Sequence, residues 1–453
     1  MNYFKMIWNL WQLKRNEKKS AREISALQAE KLKRLLHYAY EHSPYYRNSF
    51  ERVGITAEKI DSTPLSCFPA IDKSVLMSRF EEIVTAAGLT QEEIRRFDER
   101  EAGSKKLFRG KYHIVHSSGS TGTPRYFVYD ENAWECMLSG IVRGALWNMT
   151  MPQIFEFLVR GPRIVYIAAT NGRYGGAMAV SDGINGVGAK QIYLDINTPV
   201  EEWIQAVKTF KPNMIIGYPS AVKILAELVE KGSLSLKVLR VVTCGEPLGA
   251  GLRKYLEDVF RAEVINFYGA SESLSMGVES NPQEGMLLFD DMNIVEVQDG
   301  VMYLTCLYNF VQPLIRYRLS DQLTLQKPDD SSRYPFTHAV GLLGRNEDIL
   351  WFQDGSGKQE FLHPLAVEGF CINGLCDYQF RQISPDTFEM LAEVAKESLQ
   401  ETVQREILRQ MREILREKGL EYVQFFVRFV PKILPDSQTG KKRLILASEG
   451  ESL

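Results

Sequence analysis

Between about residues 160 and 267 the chain alternates short apolar runs with helical patterns, and this alternation restricts the possible fold more than any other feature. The runs Ile164–Ala168, Gln191–Leu194, Met214–Gly217, Leu239–Thr243 and Val264–Phe267 have the length and the apolar character of buried strands. Segments near 200–210, 220–231 and 249–260 lie between them and repeat their apolar residues at helical spacing. Strand, helix and strand in succession predict βαβ units, and hence an α/β fold with a mainly parallel sheet flanked by helices. Ligands on such sheets bind beyond the carboxyl ends of the strands, so the loops that follow these runs are where chemistry is expected.

The rest of the chain is organised around this region. Ile24, Leu27, Leu32, Leu35, Leu36 and Ala39 predict an amphipathic helix that stops near Ser43-Pro44, followed by an aromatic turn at Pro44-Tyr45-Tyr46. A polar stretch occupies about 90–112. After about 285 the pattern shifts to shorter β segments such as Gly300–Leu307, giving a β-rich portion. A boundary falls near Gly344–Asp348. Beyond it, Tyr378–Ile383 and Phe388–Val394 read as a hairpin turning at Ser384-Pro385-Asp386. A helix follows, with Leu399, Val403, Ile407, Met411 and Ile414 on one face and a stop at Gly419, then a strand near Tyr422–Phe429 and a polar tail. This end reads as a small α+β domain. A length of 453 residues fits two or three domains, and there is no internal repeat.

Charge and cysteine usage narrow the functional classes. With 54 basic and 57 acidic residues the net charge is −3, without the basicity of a nucleic-acid-coating protein, so no nucleic-acid partner is expected. Six scattered cysteines form no Cys-x-x-Cys pair, which argues against a disulfide framework or structural zinc and for a cytoplasmic location. The N-terminal stretch lacks a signal-peptide pattern, and no apolar run approaches the roughly 20 residues of a membrane span. Trp8, Leu10, Trp11 and Leu13 beside Lys14, Arg15, Lys18 and Lys19 leave two readings for residues 1–20: contact with a membrane surface, or the commoner outcome of a short helix packed on the body.

The strongest local signal is His116-Ser117-Ser118-Gly119-Ser120-Thr121-Gly122-Thr123-Pro124-Arg125. Its glycines permit a tight turn and close backbone approach, while successive amides and the hydroxyls of Ser117, Ser118, Ser120 and Thr121 suit an anion-cradling nest. It is not a Walker loop, because no Gly-Lys-Ser/Thr follows at the required spacing. Taken alone, a Ser/Gly/Thr-rich stretch is more often a flexible surface loop. The Gly183-x-x-Gly186-x-Gly188 pattern has the wrong order for a dinucleotide fingerprint, and there is no Gly-x-Ser-x-Gly elbow. His113, His116, His338 and His363 are not at metal-ligand spacing. Asp290-Asp291 and Asp329-Asp330 read as turn acids.

Further motifs follow in order: Cys244-Gly245-Glu246-Pro247, Tyr268-Gly269-Ala270-Ser271-Glu272, Arg316-Tyr317-Arg318-Leu319-Ser320-Asp321, Gly344-Arg345-Asn346-Glu347-Asp348 and Thr439-Gly440-Lys441-Lys442-Arg443. Together with the loop at 117–125, this series resembles the core motifs of the adenylate-forming superfamily of acyl-CoA synthetases, adenylation domains and luciferases. Within it, the chain is most similar to the phenylacetate–CoA ligase branch, including its coenzyme F390 synthetase-like and CapK-like members. The likeness runs from about residue 25 through nearly the whole chain, and includes LQAEKLKRLLHYAYEHSPYYRNSF at 27–50 and the segment from Gly344 through Gly369.

The resemblance implies a large adenylate-forming domain over 1–345, carrying the ATP and acyl sites, and a small mobile domain over 346–453. Ser117, Ser118, Gly119, Ser120, Thr121 and Gly122 would hold the β- and γ-phosphates. Gly245, Glu246 and Pro247 would form a wall of the adenine slot. Tyr268, with Gly269 and Ser271 in its motif, would stack on the purine. Glu272 would hold Mg²⁺. Asp321 would accept hydrogen bonds from the ribose, its plainer reading being a turn acid paired with Arg316 or Arg318. Arg345 would act at the hinge, and Lys441, with Lys442 as the alternative, would reach the site from the small domain. The implied reaction is ATP- and Mg²⁺-dependent activation of a small carboxylic acid, aryl or arylacetic, to an acyl-adenylate. The acyl group would then pass to coenzyme A, with a carrier-protein pantetheine, an amine or a hydroxyl as other acceptors, and a non-catalytic nucleotide scaffold as the rival outside enzymology. The acyl pocket is expected at Gly217-Tyr218-Pro219-Ser220 and Ala270–Met276. Two departures stand out. Arg125 occupies a position where many relatives carry lysine, and Lys327–His338 lacks the cysteines that some relatives use for a metal-binding insertion.

Overall fold

The computed structural model describes the chain except for residues 1–2, 101–105, 117–124, 169–188, 196–199, 247, 330–331, 346–349, 354–358, 363–366, 368–369, 371, 418, 435–443 and 447–453. Two compact units emerge, one of Met1–Glu246 and Val259–Leu342 and the other of Pro247–Asp258 and Leu343–Leu453.

In the first unit, β1 (His113–His116) and β2 (Tyr126–Tyr129) form an antiparallel hairpin. The apolar runs become β3 (Arg163–Ala168), β4 (Lys190–Asp195), β5 (Met214–Gly217), β6 (Arg240–Cys244) and β7 (Val264–Ala270). Next come β8 (Ser273–Glu279), β9 (Met286–Leu288), β10 (Asn293–Gln298), β11 (Val301–Cys306), β12 (Tyr317–Leu319), β13 (Asp321–Gln326) and β14 (His338–Arg345). A nine-stranded sheet has the order β13-β14-β9-β8-β7-β6-β5-β3-β4. Its β4-β3-β5-β6-β7 portion is parallel, and β7, β8 and β9 continue antiparallel. The helices Val200–Phe210 and Pro219–Glu230 of this unit, and Ala250–Phe260, most of which belongs to the second, fall where the spacing predicts them. Val165, Ile167, Ile215, Val241, Val264 and Ile265 are fully buried, each such side chain contributing on the order of 1.5–3 kcal/mol of apolar transfer. Strands β10, β11 and β12 make a separate three-stranded sheet, the expected β-rich portion.

One expectation needs correction here, and two gain detail. Pro44-Tyr45-Tyr46 opens a helix, Pro44–Arg52, instead of forming a turn. Proline at the first helical position loses no hydrogen bond, and the Ser43 side chain accepts from Tyr46 N, so the signal that ends one helix also starts the next. The polar stretch contains the helix Gln91–Arg100, which buries only Ile94 and Phe97. Asp290 and Asp291 do lie in the turn between β9 and β10, but they are buried there. Asp291 accepts from Arg143 Nη1 and Nη2 at 2.9 and 3.0 Å and from Asn16 Nδ2 at 2.8 Å, and Asp290 accepts from Thr337 N and Oγ1, both at 2.7 Å.

The second unit holds a two-stranded β15 (Leu350–Gln353) and β16 (Gln359–Leu362) and a four-stranded sheet. Strand β17 (Leu375–Ser384) pairs antiparallel with β18 (Thr387–Val394), and β18 pairs parallel with β19 (Gln424–Phe429). The helix Gln400–Glu417 buries Val403, Ile407 and Met411 in a core with Phe380, Phe388 and Met390. The supposed polar tail includes β20 (Ile445–Leu446), parallel to β17, with Ile445 fully buried. The short run Leu444-Ile445-Leu446-Ala447, directly after Lys441-Lys442-Arg443, was passed over as part of the tail. The fold is thus α/β with a large, mainly parallel sheet flanked by helices, a β-rich region and a C-terminal α+β part.

Candidate active site

The β1–β2 hairpin sets the position of the Ser/Gly/Thr-rich loop. Its register pairs His116 with Tyr126, so the segment between them leaves and returns at one rung of the ladder. Ser117, Ser118, Gly119, Ser120, Thr121 and Gly122 themselves lie outside the described residues. Ile114, Val115, Phe127 and Val128 are buried, and polar side chains from elsewhere fasten the hairpin backbone. Gln312 accepts from Val128 N at 2.7 Å and donates to Tyr126 O at 3.2 Å, while Asn309 donates to Val128 O at 2.9 Å. Asp98 braces both ends of the loop. It lies 3.9 Å from His116 Nε2, and burial together with the Asp98 and Glu99 carboxylates pushes the Tyr126 phenol up to about 12.

The hairpin is bolted to the second motif. Ala270 of β7 pairs with Ser273 of β8, which puts Ser271 and Glu272 at the tip of that turn. The Tyr129 hydroxyl donates to the carbonyls of Ser271 at 3.0 Å and Glu272 at 3.2 Å. Arg125, the first described residue after the loop, places Nη1 3.2 Å from Glu272 Oε1 and 3.2 Å from the Tyr317 hydroxyl. Burial first, and the Glu272 carboxylate second, raise the Tyr317 phenol well above its usual range, so it stays protonated. Arg125, Glu272 and Tyr317 therefore form one polar junction built from three motifs far apart in sequence.

The ribose motif is tied to this junction through Tyr317. Half-buried Asp321 begins β13 four residues later, at most about 14 Å along fully extended chain. Arg316 is not its partner in the plain turn-acid sense. Buried Arg316 donates to Glu296, Gln298 and the Ser66 and Phe68 carbonyls, and holds its own backbone at φ +50. The first arginine of the motif is a structural clamp on a left-handed turn.

Tyr268 is half-buried in β7, with its hydroxyl 3.7 Å from Met302 Sδ. Gly269 lies beside the β7–β8 irregularity, where a Cβ would come within 2.5 Å of the Leu274 carbonyl oxygen. Gly245, at φ +80, follows β6, and a Cβ there would meet the Tyr218 ring at 2.9 Å, so both its backbone and its contact require glycine. Glu246 accepts from Ser220 N at 3.0 Å and Ser220 Oγ at 2.9 Å, joining the loops after β5 and β6 at the start of the helix Pro219–Glu230. Pro247, Lys441, Lys442 and the Arg345 side chain lie outside the described ones; Arg345 ends β14. Ser273, Ser275 and Met276 are fully buried, so only Ala270, Ser271 and Leu274 of the expected acyl-pocket segment are partly exposed.

Among the described residues no group of three or more His, Cys, Asp or Glu side chains is gathered as a metal cage. A magnesium ion that takes most of its ligands from phosphate and water needs only one or two carboxylates, and the Glu272 donor set fits that mode. Sequence reasoning missed Tyr129, Asn309, Gln312 and Asp98, which carry no local signature, and left open the role of Arg125.

Comparison with known proteins agrees with this arrangement. Residues 69–288 match the AMP-binding enzyme family. A phenylacetate–coenzyme A ligase of Aromatoleum evansii is 25% identical over 359 residues, covering 74% of this chain and 73% of that protein. The Escherichia coli K12 phenylacetate–coenzyme A ligase is 26% identical, covering 74% of each. A crystal structure of 2-hydroxyisobutyryl-CoA ligase in its postadenylation state superposes with a TM-score of 0.73 at 19% identity, over 96% of this chain and 92% of that one, and at that identity it speaks for the fold alone. With the motifs in order, the fold in agreement and the hairpin, turn and tyrosine meeting at one junction, the AMP-binding enzyme domain over residues 69–288 and the likeness to phenylacetate–CoA ligases support an AMP-forming acid–thiol ligase.

Proposed function

We propose that this enzyme activates an aryl or arylacetic acid with ATP and transfers the acyl group to coenzyme A. The substrate carboxylate attacks the α-phosphorus, pyrophosphate leaves, and the thiol sulfur then displaces AMP from the mixed anhydride. Alignment and charge neutralisation carry most of such a step. In this reading the Ser117–Gly122 amides and hydroxyls hold the β- and γ-phosphates. Tyr268 stacks on the purine beside the wall of Gly245, Glu246 and Pro247, with Gly269 and Ser271 shaping the adjoining turn. Asp321 receives the ribose hydroxyls. Glu272 holds Mg²⁺, which neutralises phosphate charge when bound. Arg345 acts at the junction between a large domain of 1–345 and a mobile domain of 346–453, and Lys441 brings a cation from the latter.

The observation that carries this reading is the Arg125–Glu272–Tyr317 junction. It joins the end of the phosphate loop to the carboxylate assigned to the metal. A triphosphate offers Arg125 a second anion, so the guanidinium can turn to phosphate as Glu272 turns to the cation. Arginine at 125 serves this exchange because its planar fork spans two anionic partners.

The likeness to phenylacetate–coenzyme A ligases favours coenzyme A as acceptor and phenylacetate-like acids as substrates. The test is acid-dependent ATP–pyrophosphate exchange over a panel of acids, then AMP release with and without coenzyme A. Exchange with aryl acids and a rise in AMP release with coenzyme A are expected. Exchange without any coenzyme A effect would move the acceptor to another nucleophile, and no exchange with any acid would overturn the reading.

A further inference from the structure

The N-terminal helix, Tyr3–Asn16, has two apolar faces, and the protein uses only one. Met6 and Leu13 are buried as the helix packs against Glu131–Ala145. The seating is fixed by polar contacts as well: Ser139 Oγ donates to Met6 O at 3.1 Å, and Lys5 reaches Asn132 and Glu135. On the opposite side Phe4, Ile7, Trp8 and Trp11 point away from the body, Phe4 being 88% and Trp8 55% exposed. At helical spacing these four fall within one arc, with Arg15 closing the row one turn beyond Trp11. The Trp8 and Trp11 rings stack 4.9 Å apart, and the Arg15 guanidinium lies 4.7 Å over the Trp11 ring. Packing and membrane contact are therefore not alternatives for this segment, because the two faces are separate.

Charge identifies the occupant. Residues 1–22 hold six basic side chains against one acid, within a chain whose net charge is −3. Arg15, Lys18 and Arg22 are exposed, at the end of the aromatic row. A ridge of tryptophan and phenylalanine with bases at its margin matches the boundary between anionic headgroups and acyl chains, where rings enter the interface and bases meet lipid phosphates. Self-association through this face would bring two such basic segments together, which electrostatics opposes. We infer that the outward face of the Tyr3–Asn16 helix seats this enzyme on an anionic bilayer surface without crossing it. Among the described residues no helix is long and apolar enough to span a membrane.

The experiment is cosedimentation of the full chain with phosphatidylcholine vesicles, with and without roughly one-third phosphatidylglycerol. Binding to the anionic vesicles, a blue shift of tryptophan emission and loss of binding in high salt are expected. Trp8→Ser/Trp11→Ser should cut binding at least about tenfold, and Arg15→Glu/Lys18→Glu by a similar factor, each basic residue carrying roughly fivefold. Because these side chains lie outside the core, the melting temperature of both variants should match wild type. Absence of vesicle binding by wild type, equal binding by the tryptophan variant, or a dimer that the tryptophan variant splits in sedimentation velocity would each overturn the inference.

Discussion

Two arginine–carboxylate pairs in the first unit differ in nearly every respect but their chemistry. Arg143 and Asp291 are fully buried, joined by two hydrogen bonds, with Asn16 filling a further acceptor position and the Phe289 ring 3.8 Å beneath the guanidinium. Burial alone would raise the Asp291 carboxyl, but the Arg143 charge and hydrogen bonds, with Lys31 and Asn16, more than offset it and hold the group below its ordinary value. Arg125 and Glu272 meet through a single 3.2 Å contact, with side chains 20% and 6% exposed. The first pair is enclosed by protein and has no competitor. The second opens at the end of a loop suited to anions and has a tyrosine hydroxyl as a third member. Burial and bond number therefore separate an ion pair that holds the fold from one that can exchange partners.

The largest effect should come from breaking the enclosed pair. Asp291→Ala leaves a buried guanidinium without its counter-charge and should cost about 3–5 kcal/mol in urea denaturation. A loss under about 1 kcal/mol would erase the contrast between the two pairs. The sign with pH sharpens it: a depressed carboxyl contributes stability that is fully present above the ordinary aspartate value of 3.8 and is lost as the pH falls through the depressed one. The gap between wild type and Asp291→Ala should therefore close in acid.

Next in size, Glu272→Gln should lower ATP–pyrophosphate exchange by about 10²–10³, or about 2.7–4 kcal/mol, with a far smaller shift in melting temperature than Asp291→Ala. If stability fell as far as activity, the Glu272 pair would belong with the enclosed kind. Asp321→Ala should weaken ATP binding by about ten- to a hundredfold, the scale of charged hydrogen bonds worth about 1.5–3 kcal/mol, and unchanged affinity in calorimetry would remove Asp321 from the site. The smallest effect is expected from Arg125→Gln, which should change folding stability by less than about 1 kcal/mol after solvent screening while slowing exchange. A variant as unstable as Asp291→Ala would show that Arg125 is a fold-holding residue.

The parallel sheet was legible because its strands are buried on both faces and its helices carry a strong apolar stripe. Predicted strand ends agree within a residue or two for β3, β5 and β6, while β7 runs on through Ala270. Apolar spacing also located the helix Ala21–His42, whose start is set by a signal the reading did not use, the mutual capping of the Ser20 and Glu23 side chains. What could not be read were partnerships across the chain. Nothing near Asp291 announces Arg143, 148 residues away, and an Asp-Asp turn looks the same whether it is exposed or buried. The same holds for Gln312 and Asn309 under the hairpin. At the candidate site, motif order placed Glu272 and Tyr317 in one reading, but only the fold brings Arg125 to both. The Ser43-Pro44 step was misread because a stop signal and a start signal use the same residues.

The pairing of His116 with Tyr126 has a consequence for the loop it closes. The two rails of the hairpin are fastened by Gln312, Asn309 and Tyr129, none of which lies between them, so the mount does not depend on the residues it carries. Substitutions between the rails should therefore change what the proposed nucleotide site holds while leaving the rails themselves in register.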